Sequence, residues 1–295
     1  MEKLVLIDGH SILNRAFYGV PGLTNSEGLH TNAVYGFFNI LFKLLEEEKP
    51  GYLAVAFDLK APTFRHTMYD AYKGTRKPMP EELHEQVPLM KEVLTAMGIP
   101  IFTREGYEAD DILGTVAKKA QAAGMEVTVV SGDRDLLQLS DAHIKISIPK
   151  TSRGTTEVHT YYPEDVKREY QVTPEQFIDV KALMGDTSIF PGSPWEKNSD
   201  KSDPAVWQHG GVYEHLSGKA SRAKILEEHR DLAELSYKLA KICIDAPVNS
   251  LGGPRIGDLY TKEAYEYMSR LNLNPAGKIR GPCEKEAAAA LISML

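Results

Sequence analysis

GYEADDILGTVAKKAQAAGMEVTVVSGDRDLL, residues 106–137, carries the pattern from which the fold of this chain is read. Glu108, Asp110 and Asp111 open a helical stretch, an apolar strand follows at Val127, Val129 and Val130, and Asp133 and Asp135 come directly after it. A helix beginning at Glu108 puts Glu108 and Asp111 on one face, because residues three apart are neighbours there. A strand ending near Ser131 delivers Asp133 and Asp135 to the loop beyond its carboxyl end, where open α/β sheets place their sites. Carboxylates so close together repel, and either raise one another's pKa or take up a cation. An all-oxygen set suits a hard divalent ion, Mg²⁺ or Mn²⁺. Acids in a first turn also complement the helix dipole, and an Asp after a strand also serves as a helix N-cap. Either bland reading explains one cluster; two clusters at one edge favour the metal.

Working outward, the same grammar recurs. KLVLI (3–7) is a short apolar run followed by Asp8-Gly9-His10, and YLAVAF (52–57) is another followed by Asp58. The stretches between are helical: His10–Tyr18, Asn32–Glu48 with apolar residues at helical spacing, and Glu81–Met97. Strands joined through helices run parallel by right-handed crossovers, which lines Asp8, Asp58 and Asp133 along one edge. His10 adjoins Asp8, and is expected to be a packing or supporting residue rather than a metal ligand. Ile99–Phe102 and Ile144–Ile148 read as further strands, and 149–160 as a polar hairpin or loop.

Lys60–Lys77 lacks an apolar stripe and interleaves Lys60, Arg65, Lys73, Arg76 and Lys77 with Phe64, Tyr69 and Tyr72. A charge run is by default a solvated face. This one leaves directly from Asp58, and cations with aromatics beside an acidic edge suit a phosphate backbone and unstacked bases.

From Tyr162 the pattern changes to shorter helices, Pro163–Tyr170, Pro174–Met184 and Lys219–Ala246. Ile189–Gly211 has no helical or strand period, and the tail from Asn274 has no evident place in a core. The expected fold is α/β, a mostly parallel central sheet flanked by helices, with a smaller α-helical C-terminal domain. The expected division is 1–162 for the α/β domain with a basic arch at about 60–80, 163–273 for the helical domain, and 274–295 for an irregular tail.

With 295 residues, 42% of them hydrophobic, the chain has enough apolar side chain for a full core. Four apolar residues after Met1-Glu2-Lys3 are too few for a secretory signal, and no run approaches a membrane span of about twenty. Cys243 and Cys283 lack the spacing of a disulfide framework or a zinc site. A monomer in a reducing cytoplasm is the expectation.

A metal-binding edge fed by a basic, aromatic segment points to phosphodiester hydrolysis with two ions, one activating water and one stabilising the leaving oxygen. The motifs LVLIDGHSILNRAFY (4–18), AVAFDLKAPTFRHTMYDAYKGTRKPMPEEL (54–83), GYEADDILGTVAKKA (106–120), VVSGDRDLLQL (129–139) and ALMGDTS (182–188) resemble the 5′-to-3′ exonuclease (flap endonuclease) domain found at the N-terminus of bacterial DNA polymerase I. That resemblance implies a PIN/resolvase-like sheet and two Mg²⁺ or Mn²⁺ ions held by Asp8, Asp58, Glu108, Asp110, Asp111, Asp133, Asp135 and Asp186. It implies a DNA substrate with a 5′ flap or 5′ end, met in replication and repair. It also implies that Tyr72, Lys73 and Arg76 meet the scissile phosphate from a helical arch; Lys60, Arg65 and Lys77 are added to the DNA contact by their place in the basic stretch. The net charge of −7 argues against nucleic acid taken whole; without those eight acids it becomes about +1, and local sign counts for more.

The resemblance stops after Ser188. The family continues Asp-Asn-Ile-Pro-Gly-Val into a helix-hairpin-helix that grips duplex DNA, whereas Ile189-Phe190-Pro191-Gly192-Ser193 stands here. Family-like sequence resumes at Val212-Tyr213-Glu214-His215-Leu216. With permissive codons, 189–195, 206–211 and 274–281 read in shifted frames approach the family's sequence, so a truncated and impaired polymerase I gene product is expected. Two other readings remain open: a non-catalytic DNA-binding module that keeps the metal edge, and an RNase of the PIN type. A phosphatase with Asp133 and Asp135 as its nucleophile pair is disfavoured, because that chemistry needs one aspartate free to attack.

Overall fold

In a computed structural model the residues described are 1–74, 76–152, 155–184, 230–248, 255–257, 259, 261–271 and 273. Asp186, the segment 189–211 and the tail 274–295 lie outside them, and with them the expected loss of the duplex-gripping hairpin.

Chain order is β1 (Lys3–Asp8), α1 (Gly9–Gly19), α2 (Asn32–Glu48), β2 (Tyr52–Ala56), α3 (Phe64–Met68), α4 (Glu81–His84), α5 (Gln86–Ala96), β3 (Ile101–Phe102) and α6 (Ala109–Ala122). Then come β4 (Glu126–Val130), a 3₁₀ turn (Arg134–Leu139), β5 (Ile144–Ser152), β6 (Thr155–Tyr161), α7 (Pro163–Tyr170), α8 (Pro174–Met184), α9 (Arg230–Ala240) and α10 (Lys262–Arg270). The strands form one sheet in the order β3-β2-β1-β4-β5-β6. Every pairing is parallel except β5 with β6. The parallel sheet reversing direction about β1 is the crossover topology the strand–acid grammar implies.

Alternation along the central strands splits the core in two. Val5, Ile7, Leu53, Val55 and Phe57 face α1, α2 and α5. Leu4, Leu6, Ala54, Ala56, Val127 and Val129 face α6 with α7 and α8. Both faces are covered by helices, which is why these strands are apolar throughout rather than alternating with polar residues. Phe37 and Phe38 of α2 are fully buried in the first layer; each such side chain contributes about 2–3 kcal/mol of burial.

The polar stretch 149–160 takes the hairpin form of the two expected for it: β5 runs on to Ser152 and β6 returns antiparallel, with Ile146 opposite Tyr161 and Ser152 opposite Thr155. Two segments differ from the sequence expectation. Glu81–Met97 is two helices: Pro88 has no N–H to give the carbonyl of His84, so the ladder breaks between α4 and α5. The break lets the Gln86 side chain turn into the start of α2, where its Oε1 accepts from the backbone N–H of Ala33 at 2.8 Å and of Val34 at 3.3 Å. Of Lys219–Ala246, the described helix is α9, and 219–229 lie outside the described residues.

The C-terminal residues also dock where the sequence gives no sign. α10, which the sequence reading does not anticipate, sinks Ala264 and Met268 into the α2/α5 layer. Ile256 N–H donates to Gly51 O at 2.9 Å, and Thr261 Oγ1 donates to Ala96 O at 2.6 Å. Ile242 joins the opposite layer against α6. Residues beyond 239 thus complete the α/β body that the expected boundary near 162 assigned to the N-terminal part alone. Among the described residues no helix is long and apolar enough to cross a membrane.

Candidate functional site

The carboxyl ends of β1, β2 and β4 and the start of α6 meet at an open cleft of about 560 Å³. Asp8, Asp58, Glu108, Asp110 and Asp133 line it, with His10, Lys73 and Arg76 at its walls. Parallel pairing puts Asp8 opposite Ala56, two residues short of Asp58, and Ile7 opposite Val130, three short of Asp133. The register therefore brings the three strand-end acids to one edge.

Each acid is held by its own local chemistry. Asp8 is the N-cap of α1: Oδ1 accepts from Ser11 N–H at 3.0 Å and Oδ2 from the Ser131 hydroxyl at 2.8 Å. The same hydroxyl oxygen accepts from Asp133 N–H at 3.0 Å, so one buried serine ties the Asp8 carboxylate to the main chain of Asp133. Asp133 caps the 3₁₀ turn through Asp135 N–H at 2.9 Å. Asp58 Oδ1 accepts from Ala109 N–H at 2.7 Å, the first amide of α6. His10 Nδ1 lies 3.2 Å from Asp58 N and 3.4 Å from Asp58 Oδ2, and its ring stands edge-on to Phe57 at 5.2 Å.

The electrostatics are those of a cation site. Burial, with Asp58 and Asp133 repelling it, pushes the Asp8 carboxyl up to about 6. Burial, then repulsion from Asp8, Asp133, Asp58 and Asp135, holds Asp110 well above the ordinary carboxylate range. Asp110 Oδ1 is buried with no hydrogen-bond partner. For Asp58 burial acts upward, but the His10 and Ala109 hydrogen bonds and the charges of His10 and Lys73 carry it below the usual range. Among the described residues no three acids already close on one point as a ligand set; they ring the cleft. An orphaned buried carboxylate oxygen amid mutually repelling acids fits a hard divalent cation, which would satisfy both the lone pairs and the charge.

Other residues read from the sequence are placed elsewhere. Asp111 is fully buried behind the cleft, with Oδ2 accepting from Arg65 Nη1 (2.6 Å) and Glu108 N–H (3.0 Å), and Oδ1 from Arg65 Nη2 (2.8 Å) and Cys243 N–H (2.8 Å). Its lone pairs are taken, so the structure does not bring Asp111 to the acids of the cleft. Arg65 is correspondingly internal, 2% exposed, and cannot meet DNA. Glu108 and Asp111 do pair as spacing requires, through a helix-start contact in which the Glu108 main-chain N–H donates to Asp111 Oδ2 while the Glu108 side chain stays at the cleft. Tyr72 is buried; its hydroxyl donates to Glu108 Oε2 at 3.3 Å, and burial with Glu108 beside it holds the phenol up. Its ring packs with Ile178, Leu239 and Ala240, away from the cleft lining. Lys73 Nζ reaches Glu108 Oε1 at 2.7 Å, and Lys60, Arg76 and Lys77 are exposed. Asp135 sits behind Asp133, near enough to Asp110 to repel it.

Ser11, Asn14, Arg15 and Ser131 escaped the sequence reading. The first three line the cleft from α1, and Arg15 Nη2 donates to Gly132 O at 3.0 Å. The signal was available: 8, 11 and 15 are spaced by three and four, one face of a helix that begins at the acid. Ser131 carried none, since a serine before Gly-Asp reads as loop.

A family model described as "5'-3' exonuclease, N-terminal resolvase-like domain" matches residues 3–171. DNA polymerase I of Bacillus subtilis (strain 168) is 48% identical over 253 residues, which cover 84% of this chain and 28% of that protein. DNA polymerase I of Bacillus caldotenax is 46% identical over 254 residues, with 84% and 28% covered. The chain thus spans less than a third of the length of these relatives. Among solved structures, T5 5′-exonuclease with bound zinc superposes with a TM-score of 0.61 at 20% identity, covering 92% of this chain and all of that one. The catalytic core of Rad2 in complex with DNA substrate gives 0.53 at 15% identity, covering 94% and 91%. At such identities these likenesses establish the fold. On the match over residues 3–171, more than half of its length, the chain belongs to the 5′-3′ exonuclease family through an N-terminal resolvase-like domain.

Proposed function

We propose that the chain hydrolyses the phosphodiester backbone of DNA at a 5′ end or 5′ flap, using two divalent ions, Mg²⁺ or Mn²⁺, held by the cleft acids. Asp8, Asp58, Asp110 and Asp133 are the ligands the geometry favours, with Glu108 at the rim, Asp135 behind, and Asp186 added by family resemblance. When bound, such ions supply a hydroxide-like water and stabilise charge on the leaving oxygen. The chain's own side chains do the rest. Lys73 and Arg76 stand at the mouth, where a phosphate would meet them before the acids. His10 and Ala109 hold Asp58 ionised, and Ser131 holds the Asp8 carboxylate against the main chain of Asp133. The observation that carries the proposal is the buried, unpartnered Oδ1 of Asp110 within a ring of like charges.

A non-catalytic DNA-binding module is the competing reading, favoured by Ile189-Phe190-Pro191-Gly192-Ser193 standing where the family carries a further acid. Titrating Mg²⁺ into the chain with a labelled 5′-flap DNA separates them. Product that needs the ion and vanishes in Asp110→Asn supports hydrolysis, at a rate below that of the intact family if the missing acid matters. Binding without product at any ion concentration favours the module. Product that survives a chelator would overturn the metal reading altogether.

A further inference from the structure

Arg65 and Asp111 form the most completely satisfied ion pair among the described residues, and neither belongs to the cleft. Arg65 Nε donates to Leu239 O at 2.8 Å and Nη2 to Lys241 O at 2.9 Å, in addition to the paired bonds to Asp111. Its Nη1 also lies 3.6 Å from Glu108 Oε2. Four hydrogen bonds and one ionic contact occupy the five N–H directions of the guanidinium fork. Asp111 closes the ring by accepting from Cys243 N–H and Glu108 N–H. One side-chain pair therefore ties together three pieces distant in sequence: the root of the basic arch, the first turn of α6, and the segment leaving α9.

Consequences reach the cleft through Glu108. That carboxylate is held at once by Arg65 from behind, by Tyr72 at 3.3 Å, and by Lys73 at 2.7 Å from the cleft side. The arch root is further fixed by Phe64 N–H to Gly106 O at 2.9 Å, and Tyr72 packs on α8 and α9 through Ile178, Leu239 and Ala240. Lys73 adopts a left-handed backbone, φ 57°, which costs a non-glycine residue about 1 kcal/mol and persists only if its surroundings hold it. Without the pair, Glu108 loses its rear support, and the carboxylate that holds Lys73 Nζ loses its place with it.

We propose that Arg65, with Asp111, is a positioning residue: a buried clasp between the α9 exit and the arch root that sets Glu108 and Lys73 in the cleft. The clasp rests on the nuclease reading for its consequence in catalysis, but not for its existence. Lysine in place of Arg65 keeps the charge and loses the fork, so it cannot bridge Asp111 and both carbonyls.

Arg65→Lys is tested first by limited trypsin digestion, which is independent of activity. Bonds after Lys73 and Arg76 should be cut at least about tenfold faster than in the parent chain, while cutting after Arg168 in α7 is unchanged, because the opening is local. Flap cleavage should then show kcat lower on the order of 100-fold with KM for DNA little changed. In a double-mutant cycle with Glu108→Gln the two losses should not add. Should Arg65→Lys fail to fold, Asp111→Asn, which keeps the shape but weakens the pair, carries the same measurements. Digestion of the arch root at the parent rate, or losses that add with Glu108→Gln, would overturn the clasp. If the parent chain cuts no DNA, the nuclease reading falls, and the digestion alone decides the clasp.

Discussion

Replacing Asp8 by Asn should make the chain more stable at neutral pH in the absence of metal, although Asp8 is a helix cap and sits at the centre of the site. Burial and the charges of Asp58 and Asp133 move its carboxyl from 3.8 to about 6. Holding it ionised in the fold therefore costs about 3 kcal/mol relative to the unfolded chain. The folded pKa lies above the unfolded one, so the folded state binds more protons between pH 3.8 and about 6. Stability falls as pH rises through that window, and the full cost is present above it. Asn keeps the N-cap, since its Oδ1 still accepts from Ser11 N–H, but gives up the favourable charge at the start of α1, worth roughly 0.5–1 kcal/mol. The net expectation is about 2 kcal/mol of added stability at pH 7, or a Tm higher by about 4–8 °C. Urea unfolding of both proteins in a chelator from pH 4 to 8 reads this directly. The advantage of Asp8→Asn should shrink toward zero near pH 4, and added Mg²⁺ should stabilise the parent chain and not the variant. An Asp8→Asn protein no more stable than the parent at pH 7, or an advantage that does not change with pH, would refute the account of an edge strained by its own charge.

Gly9→Ala should destabilise, because a Cβ there would stand 2.4 Å from Phe57 Cζ in a ring fixed by His10 and by Lys91 4.7 Å above it. A loss of about 1–3 kcal/mol by urea midpoint is expected, and no loss would mean the ring has room to move. Lys73→Ala should lower the slope of log affinity for DNA against log salt by about one if Lys73 meets a phosphate. An unchanged slope would show that its charge serves Glu108 alone.

Strand and helix order were legible in the sequence because burial on two faces demands apolar runs of one kind and covering helices demand another period. KLVLI, YLAVAF and EVTVV announced themselves, each followed by its acid, and parallel crossovers alone sufficed to line those acids up. Family membership was legible for the same reason, since the motifs that resembled it are the strand ends that make the edge. What the sequence could not separate was Asp110 from Asp111. Adjacent residues on a helix point about 100° apart, so one faces the cleft with an orphaned oxygen and the other faces Arg65, 46 residues away, with none to spare. Nor could charge pattern tell Arg65, buried and fully bonded, from Arg76, exposed at the mouth. Composition counts charges, and only packing decides which are solvated, which are paired, and which are left facing one another. The docking of Leu239–Ala246 and α10 onto the first 130 residues was likewise invisible, because contacts so distant along the chain leave no period in it.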